Sequence, residues 1–167
     1  MSPDAARAIR DSRHRWIATE RPTVVVEGLT VTGPVPRSND FEDTGGPFFL
    51  DEACSQPDPL DDDQSLFIET SEGIVVLLGC AHSGVVNTLH YIRRLTGNQP
   101  IRAVIGGMHL VGASTRRIER TIEELRPLCV ERLAPAHCTG TPATTALWNA
   151  FPDKCQPCSV GTRFEFD

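Results

Sequence analysis

Apolar positions along the chain fall into blocks of two kinds. Ile74-Val75-Val76-Leu77-Leu78 is a run of five apolar residues held between Gly73 and Gly79, a pattern that predicts a strand buried on both faces. Val85, Leu89 and Ile92 then recur at helical spacing, which predicts a helix to about Leu95 with Thr96-Gly97-Asn98 as its stop. The alternation repeats. Arg102–Gly107 reads as a strand. Ile118, Ile122 and Leu125 form one helical face, N-capped by Ser114 and ended by Pro127. Glu131–Ala136 reads as a third strand, and Thr141-Pro142 opens a helix that buries Leu147 and Phe151. Thr162–Phe166 is expected to close the chain as a last strand. Upstream, Thr23–Val26 reads as a strand, and Ser65–Thr70 pairs with Ile74–Leu78 through the three-residue turn Ser71-Glu72-Gly73. Asp4–Ala18 is expected to be a helix with Ile9 and Trp16 on one side and His14 at the surface. Strands alternating with helices over 167 residues predict one layered α/β domain.

The three strands of this alternation run into small residues and then a histidine: His82, His109 and His137. If the strands are parallel neighbours, the histidines share the C-terminal edge of a sheet, where open α/β sheets build their sites. Neutral imidazole ligates zinc and suits iron and nickel, and three imidazoles leave a fourth position open for water. Local hydrogen bonding of each imidazole at a helix start is the competing reading. Cys80 and Cys138 lie beside His82 and His137 and are further ligand candidates, or else small residues that pack the strand ends. On an extended strand Cys80 would point to the same side as His82. His90, on the following helix, reads as a solvated or partly packed residue rather than a ligand.

Charge changes the picture modestly. A net charge of −6 argues against nucleic acid as a partner. Ser38–Ile92 holds half of the acids and no lysine or arginine. Within it, 38–63 reads as an irregular loop around Gly45-Gly46-Pro47, and Asp58–Asp63 as a solvated acidic stretch without calcium-loop spacing. Arg7, Arg10, Arg13 and Arg15 interrupt the first twenty residues, so no secretory signal is expected there, and no run reaches membrane-spanning length. The expectation is a cytoplasmic protein with its six cysteines reduced. Cys155-Gln156-Pro157-Cys158 is a lone CxxC, which keeps a small redox or zinc-binding role open. There is no GxSxG and no phosphate loop.

The segments Asp62-Asp63-Gln64-Ser65-Leu66-Phe67-Ile68, Gly79-Cys80-Ala81-His82-Ser83-Gly84, Gly106-Gly107-Met108-His109-Leu110 and His137-Cys138-Thr139-Gly140 together resemble the C-terminal half of a metallo-β-lactamase-fold hydrolase. More narrowly, the chain resembles the dihydropterin–ribofuranosylaminobenzene phosphate synthase-like branch. The resemblance implies an incomplete αββα fold, one β layer with helices on one face. It divides the chain into an N-terminal helix and linker, 1–22, and the half-domain, 23–167. It implies zinc, with manganese or iron as alternatives, held by His82, His109 and His137; His109 stands where most of the superfamily has a bridging aspartate. Asp62 and Asp63 are the nearest carboxylates by family pattern, though before a strand they are expected to cap the turn. The family's HxHxDH motif is absent. The expectation is therefore a truncated metal-dependent hydrolase, inactive by itself, whose substrate is a small, phosphorylated molecule. A bare sheet face would drive self-association or pairing with a missing N-terminal half. A non-catalytic half-domain acting as a binding or assembly module is the alternative.

Overall fold

The computed structural model describes residues 2–12, 16–44 and 46–166. Among them run α1 (Pro3–Asp11), β1 (Thr23–Val26), β2 (Leu29–Val31), β3 (Leu66–Thr70), β4 (Gly73–Leu78), α2 (Val85–Leu95), β5 (Ile101–Gly107), α3 (Thr115–Leu125), β6 (Arg132–Ala136) and α4 (Thr141–Ala150), with a short 3₁₀ turn at His137–Thr139. The six strands form one sheet in chain order. β1 to β4 meander antiparallel, whereas β4, β5 and β6 are parallel neighbours, as the histidine pattern required.

Helices α2, α3 and α4 fill one face. Ile74, Val76 and Leu78 of β4 join Val104 and Leu133 of the next strands in a single core with Leu89 and Ile92 of α2, Leu125 of α3 and Leu147 of α4. Residues that alternate with these point to the other face. There Val75, Ala103 and Ala134 are buried, while Leu66, Leu77 and Ile105 are only half-buried. Part of the cover is Phe166, whose ring lies under the guanidinium groups of Arg102 and Arg132 at 5.6 and 5.4 Å. Arg102 is buried and ion-paired to Glu72. The second face is therefore partly covered rather than bare. A groove of about 470 Å³ remains on it, lined by Thr19, Val31, Gln64, Leu66, Leu77 and Gly79.

Several expectations need correction. The first helix stops at Asp11, with Ser12 extended, and buries none of its residues; Trp16 is 68 % exposed rather than packed with Ile9. His14 and Gly45 lie outside the described residues. Thr162–Phe166 is not a strand. The sheet edge beyond β6 is already taken, because Leu133 bridges Cys155 and exchanges backbone hydrogen bonds with Lys154 and Gln156. Cys155 is buried by that bridge, so one half of the CxxC serves packing, and burial pushes its thiol pKa up. Thr70 pairs directly with Gly73, which shortens the hairpin turn to Ser71-Glu72. Gly140, not Thr141, is the N-cap residue of α4. The short β2 was not expected.

Candidate metal centre

Because β4, β5 and β6 are parallel and adjacent, the residues after them share one edge of the sheet. Each junction holds a non-glycine residue in the left-handed region: Ala81 at φ 55°, His109 at 47° and His137 at 50°. Such backbone costs about 1 kcal/mol or more per residue and is typical of functional sites.

His82 and His109 come together. Their ring centroids are 4.1 Å apart, tilted by 51°. Phe48 meets the His82 ring edge-on at 5.1 Å and lies 6.2 Å from that of His109. His109 is buried and His82 half-buried. The His82 peptide is clamped from two directions: Arg37 donates to its carbonyl at 3.1 Å, and the Asp63 carboxylate accepts from the Ser83 N–H at 2.9 Å. His82 Nδ1 lies 3.5 Å from the Thr44 carbonyl. A proton on Nδ1 leaves Nε2 as the lone-pair nitrogen.

His137 is exposed and belongs to a different group. One of its ring nitrogens, Cys80 Sγ and Cys138 Sγ all lie within 4.8 Å of one another. Cys138 Sγ donates to the Cys80 carbonyl at 3.5 Å. Burial, helped by neighbouring Cys80, pushes the Cys138 thiol pKa up to about 11. The extended-strand expectation for Cys80 fails because β4 ends at Leu78 and Ala81 turns the chain before His82. Asp62 is exposed, and Asp63 bonds the loop after β4 rather than its own turn. His90 is half-buried on α2.

Loop 38–63 is irregular but tied down, and its ties went unseen in the sequence. Glu42 is buried, and its two carboxylate oxygens accept from the Val86 and Asn87 N–H groups, both at 2.8 Å. They satisfy orphan donors at the start of α2, which has no side-chain cap of its own. Burial raises the Glu42 pKa despite these bonds and that from Asn39. Gly84, at φ 100°, leaves the room: a Cβ there would run into the Glu42 carboxylate. Asn87 Oδ1 accepts in turn from Ser38 and Asn39. These partners stand more than forty residues apart in sequence, and no local pattern could have paired them.

No family model matches the sequence. The crystal structure of Tm1679, described as a metal-dependent hydrolase of the β-lactamase superfamily, superposes with a TM-score of 0.84 at 30 % identity, covering 98 % of this chain and 62 % of that one. The chain is a relative of the metallo-β-lactamase superfamily. Its single six-stranded sheet with helices matches part of that fold. Two curated proteins of Methanocaldococcus jannaschii are also similar. One is 7,8-dihydropterin-6-methyl-4-(beta-D-ribofuranosyl)-aminobenzene-5'-phosphate synthase, 29 % identical over 91 % of this chain and 53 % of its own length. The other is the uncharacterized protein MJ0448, 32 % identical over 77 % of this chain and 46 % of its own. The chain thus spans about half the length of the curated relatives it matches.

Proposed function

We propose that the chain supplies one half of a metal-dependent hydrolase centre, with His82, His109 and His137 as imidazole ligands, completed by a half bearing HxHxDH in cis or in trans. The observation that carries this reading is the His82–His109 pair, 4.1 Å between centroids at the ends of adjacent parallel strands. The donor set fits zinc: neutral imidazole is among the ligands zinc prefers, with iron or manganese the other candidates. When bound, such an ion lowers the pKa of a water and polarises a phosphoryl or carbonyl oxygen. The chain's own residues do the rest. Arg37 and Asp63 fix the His82 peptide, Thr44 orders its Nδ1, and Phe48 shields both rings from water.

A small-molecule substrate is supported by a cavity of about 540 Å³ lined by Asp43, Thr44, Gly46, Gly112, Ser114 and Arg117, sharing Thr44 with the His82 contact. Its size suits a small molecule; the Arg117 guanidinium on its wall is buried and ion-paired to Asp43, so a phosphorylated substrate is proposed from the resemblance to the phosphate synthase alone. Substrates of the relatives are theirs; for this chain the class is a proposal. The test is a panel of phosphodiesters and lactones with zinc or manganese. The isolated chain is expected to give no turnover, and an added HxHxDH half to restore it. Metal-dependent turnover by the isolated chain, abolished by His109→Ala, would mean that the half is complete in itself.

A second reading, an assembly module without catalysis, is favoured by β1, whose Val24, Val25 and Val26 are exposed on a sheet edge. It predicts self-association at micromolar concentration that Val25→Lys reverses. A monomer by light scattering at all concentrations would remove it. No helix among the described residues is long and apolar enough to cross a membrane.

A further inference from the structure

We infer that Cys80, Cys138 and His137 form a thiolate–imidazole site for a soft divalent ion such as zinc, sharing only His137 with the three-histidine edge. The inference goes beyond the hydrolase reading, in which the cysteines have no part. It starts from topology. β4 and β6 are not neighbours; β5 lies between them. Strands two positions apart are separated by about 9–10 Å, too far for two short cysteine side chains to meet over an ordinary residue. They meet here because β5 ends on Gly107. A Cβ at that position would fall 2.8 Å from Cys138 Sγ and 3.3 Å from His137 Cδ2. The missing side chain is what lets the two flanking strand ends converge.

The spacing suits a metal. Ligands at about 2.3 Å for sulfur and 2.0 Å for nitrogen put tetrahedral donors roughly 3.5–3.8 Å apart. The three donor atoms already lie within 4.8 Å of one another, so closing on an ion needs shifts of side chains, not of strands. Both sulfurs are half-buried while His137 is exposed, which leaves the fourth position facing solvent. His137 and Ala81, on either side of the group, hold left-handed backbone that aims the two loops. Two thiolates and one imidazole select zinc over magnesium, calcium or manganese. The group therefore competes with His82 and His109 for His137, and in the isolated chain it is the thiolates that hold the ion.

Cobalt(II) reports this directly, because thiolate ligation gives a sulfur-to-cobalt charge-transfer band that imidazoles alone do not. Full-length chain, kept reduced and anaerobic, is expected to take up one equivalent with that band. Cys80→Ser and Cys138→Ser should each weaken binding by more than about 100-fold, since losing an outer partner alone costs 10–100-fold, and at saturating cobalt should roughly halve the band, which the double substitution removes. His82→Ala and His109→Ala should keep it. In the unsubstituted chain, zinc should slow alkylation of Cys80 and Cys138 but not of the exposed Cys54 and Cys129, mapped by mass spectrometry. Cobalt bound without the band and lost on His82→Ala would overturn the inference while leaving the hydrolase reading standing. Absence of binding, or equal alkylation with and without zinc, would overturn it as well.

Discussion

The two faces of the sheet are built to different standards. On the helix-covered face, Ile74, Val76, Val104 and Leu133 meet three helices in one continuous core, each almost wholly out of water. On the other face Leu66, Leu77 and Ile105 keep partial exposure, and a tail aromatic under two arginines does part of the covering. The strands are apolar on both sides, which is the pattern of a sheet meant to be enclosed. The first face is filled, and the second has the composition of an interior without a full partner in the described residues. A fold is thus not uniformly committed: one layer can be finished while the opposite surface stays open.

The sharpest way to test the contrast is paired truncation. Ile74→Ala and Leu89→Ala should each cost about 2–5 kcal/mol, the usual penalty for a cavity in a filled core. Leu77→Ala, opposite them and half-exposed, should cost under about 1.5 kcal/mol, because its side chain leaves less from burial. Equal losses in denaturant titrations would show that the second face is as well packed as the first. Next in size is Gly84→Ala. The new methyl meets the Glu42 carboxylate in a backbone conformation that side chains resist, and about 1–3 kcal/mol should be lost. An unchanged melting curve would show that Glu42 can withdraw and that the loop is not fastened to the first face.

On the second face, Arg102→Ala should cost about 0.5–2 kcal/mol by releasing Phe166. Phe166→Ala removes its contacts with both Arg102 and Arg132, whereas Arg102→Ala also breaks the ion pair to Glu72, so the double substitution should cost less than the sum by the shared Arg102–Phe166 contact alone. Additive losses would separate the tail from the arginines. The smallest effect concerns pH. Glu42 titrates above its ordinary value of 4.5, with burial the leading cause. Its stabilising contribution is fully present below 4.5 and is lost as pH rises through the raised folded value, because the unfolded chain releases that proton first. The stability difference between the native chain and Glu42→Gln should therefore shrink as pH rises across that window. A difference that grows with pH would mean that the helix N-terminus holds the carboxylate ionised.

Much of this was legible beforehand. The apolar run Ile74–Leu78 and the helical spacing after His82 placed β4 and α2, and the same alternation placed β5, α3, β6 and α4. What periodicity cannot carry is partner choice. Thr162–Phe166 has the alternation of a strand, but the edge it would join was already bridged by Cys155. The three histidines share an edge, yet the residues that group them are a glycine, Gly107, and a loop phenylalanine, Phe48, neither of which marks itself in sequence. Loop 38–63 looked structureless because its order comes from long-range bonds to α2.

Those bonds have a dynamic consequence. Two carboxylate oxygens from the loop and one side-chain oxygen from the helix lock the two segments reciprocally, and Asp63 adds a third tie at Ser83. None of these amides can reach solvent while its partner stays in place. The backbone around His82 and the loop that walls it should therefore open as one unit, exchanging its Ser83, Val86 and Asn87 protons together rather than one by one.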